Sequence, residues 1–177
     1  MSKRQRDFGP SDVVEVLGWL EGAGLCVWVD GGWGHDAVLG EQTRRHDDLD
    51  LIVDSDESAR LIVALTEHGF TVTERDSPDA FVLEDADGRQ VDVHCVRFDT
   101  AGNGLYRMSS GEDWPFPAGG LKGRGTIGGR GVRCMTPEQQ VLCKIGEFEP
   151  TEADFQDLRL LHGRFGVEIP QMYRNRA

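Results

Sequence analysis

Two stretches constrain the fold more than any others: DLDLIVD at Asp48–Asp54 and QVDVHCV at Gln90–Val96. Successive side chains of a strand point to opposite faces. Each stretch therefore has an apolar face, Leu49, Leu51 and Val53 in the first and Val91, Val93 and Cys95 in the second. The other faces carry Asp48, Asp50 and Ile52, and Gln90, Asp92 and His94. The apolar faces demand a core, and the carboxylates must look away from it. Asp48 and Asp50 are separated by roughly 6.5–7 Å along one face, where two negative charges repel by a few kcal/mol at intermediate dielectric. If the two strands are neighbours, three aspartates gather on one surface and a cation belongs among them.

Hard divalent cations take oxygen ligands, and Mg²⁺ is bound by a few carboxylates together with substrate phosphates and water. Two such ions about 3.5–4 Å apart stabilise the attacking and leaving oxygens of an in-line phosphoryl displacement. On that chemistry Asp48 and Asp50 hold metal, while Asp92 both binds metal and accepts the proton of an attacking hydroxyl. A DxD pair by itself is equally the make-up of a solvated strand edge. An EF-hand is excluded because no glycine or terminal glutamate follows at the required spacing. GxGxxG and GxxxxGK[ST] are both absent, so neither a Rossmann nor a P-loop site is supported. Histidines and cysteines are too scattered for a zinc site.

Upstream, Gly31-Gly32 opens a predicted helix over Trp33–Leu39 closed by Gly40. Glycines there let backbone N–H groups approach a phosphate, with the helix dipole favouring the anion. The plainer alternative is a strand-to-helix turn that needs positive φ. Between the glycines and the first aspartates stands Thr43-Arg44-Arg45-His46. Arg44 suits a triphosphate and His46 either orients a ligand or braces the loop; as a simpler alternative the segment is a solvated basic turn. Trp33 reads as a core anchor, and His94 as a neighbour of the metal site.

The remaining pattern is of alternating helices and strands. Ser11 is placed as the cap of a helix with a Val13, Val16, Leu17 and Leu20 stripe, followed by a strand over Leu25–Val29. A helix over Asp56–His68 precedes strands at Phe70–Glu74, Ala80–Glu84 and Gln90–Val96, the last two joined at Asp87-Gly88. Residues 99–131 are glycine-rich around Trp114-Pro115-Phe116-Pro117. An ordered excursion with little regular structure is expected there, ending in a hairpin at Ile127–Arg130. Thr136-Pro137 starts a helix to about Gly146, and Thr151 caps another to about His162. A mixed α/β sheet over residues 1–135, with a small helical segment over 136–177 packed on it, follows.

The charged N-terminus lacks the apolar run of a signal peptide, and no segment approaches the ~20 apolar residues of a membrane span. Four scattered cysteines without a CxxC pair fit reduced thiols in the cytoplasm. The net charge of −12 disfavours phosphate-led nucleic-acid binding. It favours cations or a cationic small molecule near an acidic cleft, or simply keeps the protein in solution.

Taken together, GGW at Gly31–Trp33, TRxHxDxD at Thr43–Asp50 and the aspartate of VDVH resemble the small antibiotic nucleotidyltransferases of the short lincosamide type. The aminoglycoside 2″-adenylyltransferases are more distant cousins. The resemblance runs from about Val27 to Gly166 and takes in GGRGVRC at Gly128–Cys134, TPE at Thr136 and FEPTEADFQDLRLL at Phe148–Leu161. Cys95, Lys144 and Phe148 depart from the relatives' proline, histidine and tyrosine. The resemblance implies a polymerase-β-like minimal nucleotidyltransferase fold. It also implies Mg²⁺-dependent transfer of a nucleoside monophosphate from ATP or another NTP to a small-molecule hydroxyl, with loss of pyrophosphate. By position, Asp48, Asp50 and Asp92 are the metal ligands, Asp92 is also the base, and Gly31 and Gly32 form the phosphate turn. Thr43, Arg44 and His46 lie by the triphosphate. Lys144 either helps hold phosphate or is a surface helix residue. Relatives of this type also suggest a homodimer. Two rivals remain at this point: a protein or other macromolecular acceptor, and a non-catalytic nucleotide-binding partner protein.

Overall fold

The structure, a computed structural model, describes residues 6–77, 79–108, 110–145 and 150–174. The expected helix at the start is α1, Pro10–Gly22, but its cap is Gly9 rather than Ser11. Proline's fixed φ suits the first helical position, and the Asp12 carboxylate reaches back to accept the Gly9 N–H at 2.9 Å. Ser11 thus falls inside the first turn. Strand β1, Val27–Val29, leads into α2, Gly31–Leu39, which includes both glycines and ends at the left-handed Gly40.

Strand β2 is Asp48–Asp54. The single helix expected after it divides into a 3₁₀ turn, Ser55–Glu57, and α3, Ser58–Thr66. Asp54 causes the break by accepting the Asp56 N–H at 3.0 Å, a local bond that competes with continuous helix. Strands β3 (Thr71–Ser77), β4 (Ala80–Glu84) and β5 (Gln90–Phe98) follow.

The glycine-rich excursion is more regular than its composition implies. It contains β6, Gly104–Arg107, and β7, Asp113–Phe116, paired with Tyr106 opposite Trp114. Pro115 is tolerated because β7 pairs only with β6 and needs no donor on its free edge. The hairpin expected at Ile127–Arg130 joins β8, Gly123–Ile127, to β9, Arg130–Cys134. Helix α4 is Pro137–Cys143 with Thr136 as cap, α5 is Glu152–Phe165 with Thr151 as cap, and α6 is Gln171–Arg174. Gly146 and Phe148 lie outside the described residues.

The main sheet runs β3-β4-β5-β2-β1-β9-β8. The β2–β5 and β1–β9 pairs are parallel, and the rest are antiparallel. On one face Leu49, Leu51, Val53, Val91, Val93 and Cys95 are sealed beneath α1 and α3. The other face carries the aspartates at the start of β2 and β5. Beyond them lies a small apolar cluster of Ile52, Val96, Phe116, Leu121 and Met135. A third cluster, Val141, Phe155, Leu158, Leu161, Val167 and Tyr173, holds α4 to α6 together.

Candidate active site

The parallel register of β2 and β5 sets Asp50 directly beside Asp92, and Asp48 beside Gln90. The condition that the two strands be neighbours is therefore met. The carboxylates themselves are turned to separate partners. Asp92 Oδ1 accepts the Gln90 Nε2 at 2.8 Å. Asp50 Oδ1 lies 3.8 Å from His94 Nε2, and the His94 ring meets Tyr106 edge-on at 5.5 Å. Among the described residues no three His, Cys, Asp or Glu groups surround a single point in these rotamers.

Charge is nonetheless in surplus. Burial pushes the Asp48 carboxyl up to about 7, with Asp50, Asp92 and Asp47 adding to the rise. Asp92 is raised by burial, against the hydrogen bond from Gln90, with Asp50 adding to it. Asp30, just before α2, is raised by burial and then by Asp50. A group of hard oxygen donors whose ionised forms oppose one another fits Mg²⁺ by chemistry and by charge.

Asp30 builds the turn. Its Oδ1 accepts the Gly31 N–H at 2.7 Å, and its own N–H donates to the Asp50 carbonyl at 3.0 Å, tying α2 to β2. Gly31 has φ +56, and a Cβ there would overlap the Asp50 carboxylate. Glycine is thus needed both for backbone and for space. A Cβ at Gly32 would lie 2.7 Å from Arg44 Nη2 and would strike the His46 ring. Beyond the Gly31 N–H, which Asp30 already accepts, the amides of this first helical turn have no acceptor within the helix and offer a place for an anion.

The basic segment is held from below. Asp36, 1% exposed, accepts the Thr43 hydroxyl at 2.6 Å and its N–H at 3.1 Å. His46 Nε2 lies 2.5 Å from the other Asp36 oxygen, and the His46 ring packs against Trp33 at 4.6 Å. Thr43 and His46 brace the loop, and Trp33 is the core anchor its sequence predicts, 2% exposed. Arg44 forks onto Asp157 of α5, with Nε–Oδ1 3.2 Å and Nη2–Oδ2 3.1 Å. Lys144 follows α4 and donates to Asp154 Oδ1 at 2.5 Å. Its charge is felt at Asp30 and at the buried His35. Lys144 is therefore half-buried in an ion pair rather than on an open helix surface.

Asp30, His35, Asp36 and Asp157 are the residues that sequence reasoning missed. A lone aspartate or histidine in or just before a helix carries no periodic signal, and only the packing around it shows what it bonds. Trp114 borders the same region. It joins Phe98, Tyr106 and Cys143 around the small apolar cluster.

The sequence model of the aminoglycoside-2″-adenylyltransferase family matches residues 12–161. A lincosamide resistance protein of Staphylococcus haemolyticus is 25% identical over 146 residues, 82% of this chain and 89% of its own. The lincomycin-bound crystal structure of the lincosamide antibiotic adenylyltransferase LnuA superposes with a TM-score of 0.77 at 23% identity. That match covers 88% of this chain and 98% of LnuA. ANT(2″)-Ia in complex with adenylyl-2″-tobramycin gives a TM-score of 0.68 at 23% identity over 87% of each chain. These two likenesses establish that the fold is shared.

Proposed function

The chain belongs to the aminoglycoside-2″-adenylyltransferase family, and from that premise we propose a Mg²⁺-dependent reaction on an antibiotic. A nucleoside monophosphate, AMP in the first instance, passes from ATP or another NTP to a hydroxyl of a lincosamide or aminoglycoside. The observation that carries this reading is the in-register Asp50–Asp92 pair on parallel strands, with the Gly31 turn closed against Asp50. Asp48, Asp50 and Asp92 would hold the metal. Bound Mg²⁺ supplies Lewis-acid polarisation of the α-phosphate and lowers the pKa of the acceptor hydroxyl.

The chain's own groups do the rest. Gly31 and Gly32 let the nucleotide's phosphates come close to the first-turn amides of α2. Arg44 and Lys144 supply positive charge beside that turn, while Thr43 and His46, fastened to Asp36, keep the loop in place. Asp92, whose carboxyl burial raises above its ordinary value, accepts the proton of the attacking hydroxyl as general base. The acceptor oxygen then bonds to the α-phosphorus as the bridging oxygen departs with pyrophosphate.

In this reading the acceptor sits between the β6–β7 hairpin, with Tyr106 and Trp114, and the C-terminal helices. The carboxylate-lined face favours a cationic acceptor. Residues 1–135 form the transferase domain in this reading, and 136–177 close one side of it. The free thiols of Cys26, Cys95, Cys134 and Cys143 support a cytoplasmic location. No helix among the described residues is long and apolar enough to cross a membrane. A homodimer is part of the reading.

Mass spectrometry tests it. Purified protein, Mg²⁺ and each of the four NTPs are mixed with panels of lincosamides and aminoglycosides, and Asp48→Asn serves as the control. The expected result is an acceptor heavier by one nucleoside monophosphate with wild type alone. A silent panel beside intact Mg–NTP binding would remove these antibiotic classes from the reading.

A further inference from the structure

We propose that Asp157, on helix α5, is a positioning residue of the nucleotide site, its buried carboxylate holding Arg44 against the glycine turn through a bidentate ion pair. The proposal rests on the transfer reading above and extends its site to a residue outside the carboxylate face.

Asp157 is 2% exposed, and its neighbours on the inward side of α5 are Phe155, Leu158 and Leu161. A carboxylate in such surroundings is costly, and a hydrophobic residue often serves stability as well or better. Both Asp157 oxygens are committed to Arg44, at 3.2 and 3.1 Å. A planar guanidinium gripped by two parallel bonds is fixed in direction as well as in place. The direction is toward α2, where the missing side chain of Gly32 leaves room for Nη2. The preceding residue reinforces the link, since Gln156 Nε2 donates to the Thr43 carbonyl at 3.4 Å.

Asp157 also meets the other half of the turn. Its Oδ2 lies 3.9 Å from His35 Nδ1, and that nitrogen is 2.6 Å from the Gly31 carbonyl. One buried carboxylate thus stands behind both the cation and the glycine backbone of the phosphate site. Asp154, one helical turn earlier, binds Lys144 as a half-buried pair nearer the surface. The deeper pair is the one aimed at the turn.

The test compares wild type, Asp157→Asn, Arg44→Gln and the double variant. Mg–ATP binding is measured by calorimetry, and separate KM values are taken for ATP and for the acceptor found in the antibiotic screen. Asp157→Asn keeps the volume and frees the guanidinium. ATP affinity should fall about tenfold or more, on the scale set by small misplacements of a positioning group. The acceptor KM should stay near wild type. The double variant should lose clearly less than the sum of the two single losses, because Asp157 acts mainly through Arg44.

Unchanged ATP binding in Asp157→Asn, equal losses for ATP and acceptor, or additive losses in the double variant would each overturn the role. Should Asp157→Asn fail to fold, Asp157→Glu keeps the charge and displaces the guanidinium by one methylene. It should show the same selective loss in smaller measure, and wild-type ATP binding in it would refute the proposal. Wild-type protein with no Mg–ATP binding at all would instead remove the transfer reading on which the proposal stands.

Discussion

Replacing Gly31 with alanine separates two costs that the structure locates in one residue. The first is backbone strain at φ +56, where a Cβ costs about 1–2 kcal/mol. The second is steric, since the new Cβ occupies the space of the Asp50 carboxylate and forces it to rotate. Gly69 provides the control, with φ +89 and open space where a Cβ would stand. A chain of this size loses about 2–4 °C of Tm per kcal/mol. Gly69→Ala should therefore melt about 2–8 °C lower and keep its turnover. Gly31→Ala should melt lower by at least as much and lose about a hundredfold or more in kcat/KM, the scale of a misplaced catalytic group. Calorimetric melts and steady-state rates on both variants supply the readout. Normal turnover in Gly31→Ala, or an equal loss in Gly69→Ala, would refute the reasoning, since in either case the Asp50 overlap would not be what matters.

Asp50→Asn should abolish turnover and leave Tm unchanged or slightly higher without divalent cations, because it removes one of several mutually repelling charges; a normal rate would sink its assignment. Leu49→Ala, at a fully buried position, should cost about 2–5 kcal/mol, read as a fall in the urea midpoint. The Asp85 carboxyl is buried, and its hydrogen bonds from Arg89 hold it below the usual carboxylate range. Its stabilisation is present above the unfolded value near 3.8 and fades as pH falls through the lower folded value. Asp85→Asn should accordingly flatten the loss of stability on acidification below about pH 4. Identical acid limbs in urea titrations of the two proteins would contradict that.

Much of the architecture is legible in the chain because it depends on period and punctuation. Leu49 to Val53 and Val91 to Cys95 alternate, so their strands and buried faces follow directly. Gly40 and the Thr136-Pro137 and Thr151 caps mark helix ends by local geometry that any fold must respect. Where two local signals competed, reading by residue was less sure. Ser11 lost the cap to Gly9 because Pro10 and Asp12 together suit the first and third helical positions better. The β6–β7 hairpin was hidden by its glycines and Pro115, whose tolerance comes from being at a sheet edge.

The aspartates were nameable from sequence, since alternate positions of a strand share a face whatever surrounds them. Their partnership was not, because the register that puts Asp50 beside Asp92 is long-range and joins strands with a helix and a hairpin between them. The same holds more strongly for Asp157. Nothing near it in the chain distinguishes it from a solvated helix carboxylate. Only the packing of α5 against α2 removes it from water and leaves Arg44, 113 residues away, as the charge that makes its burial bearable. Local sequence chose the elements and the chemistry each could offer, and the tertiary structure chose which charges would meet.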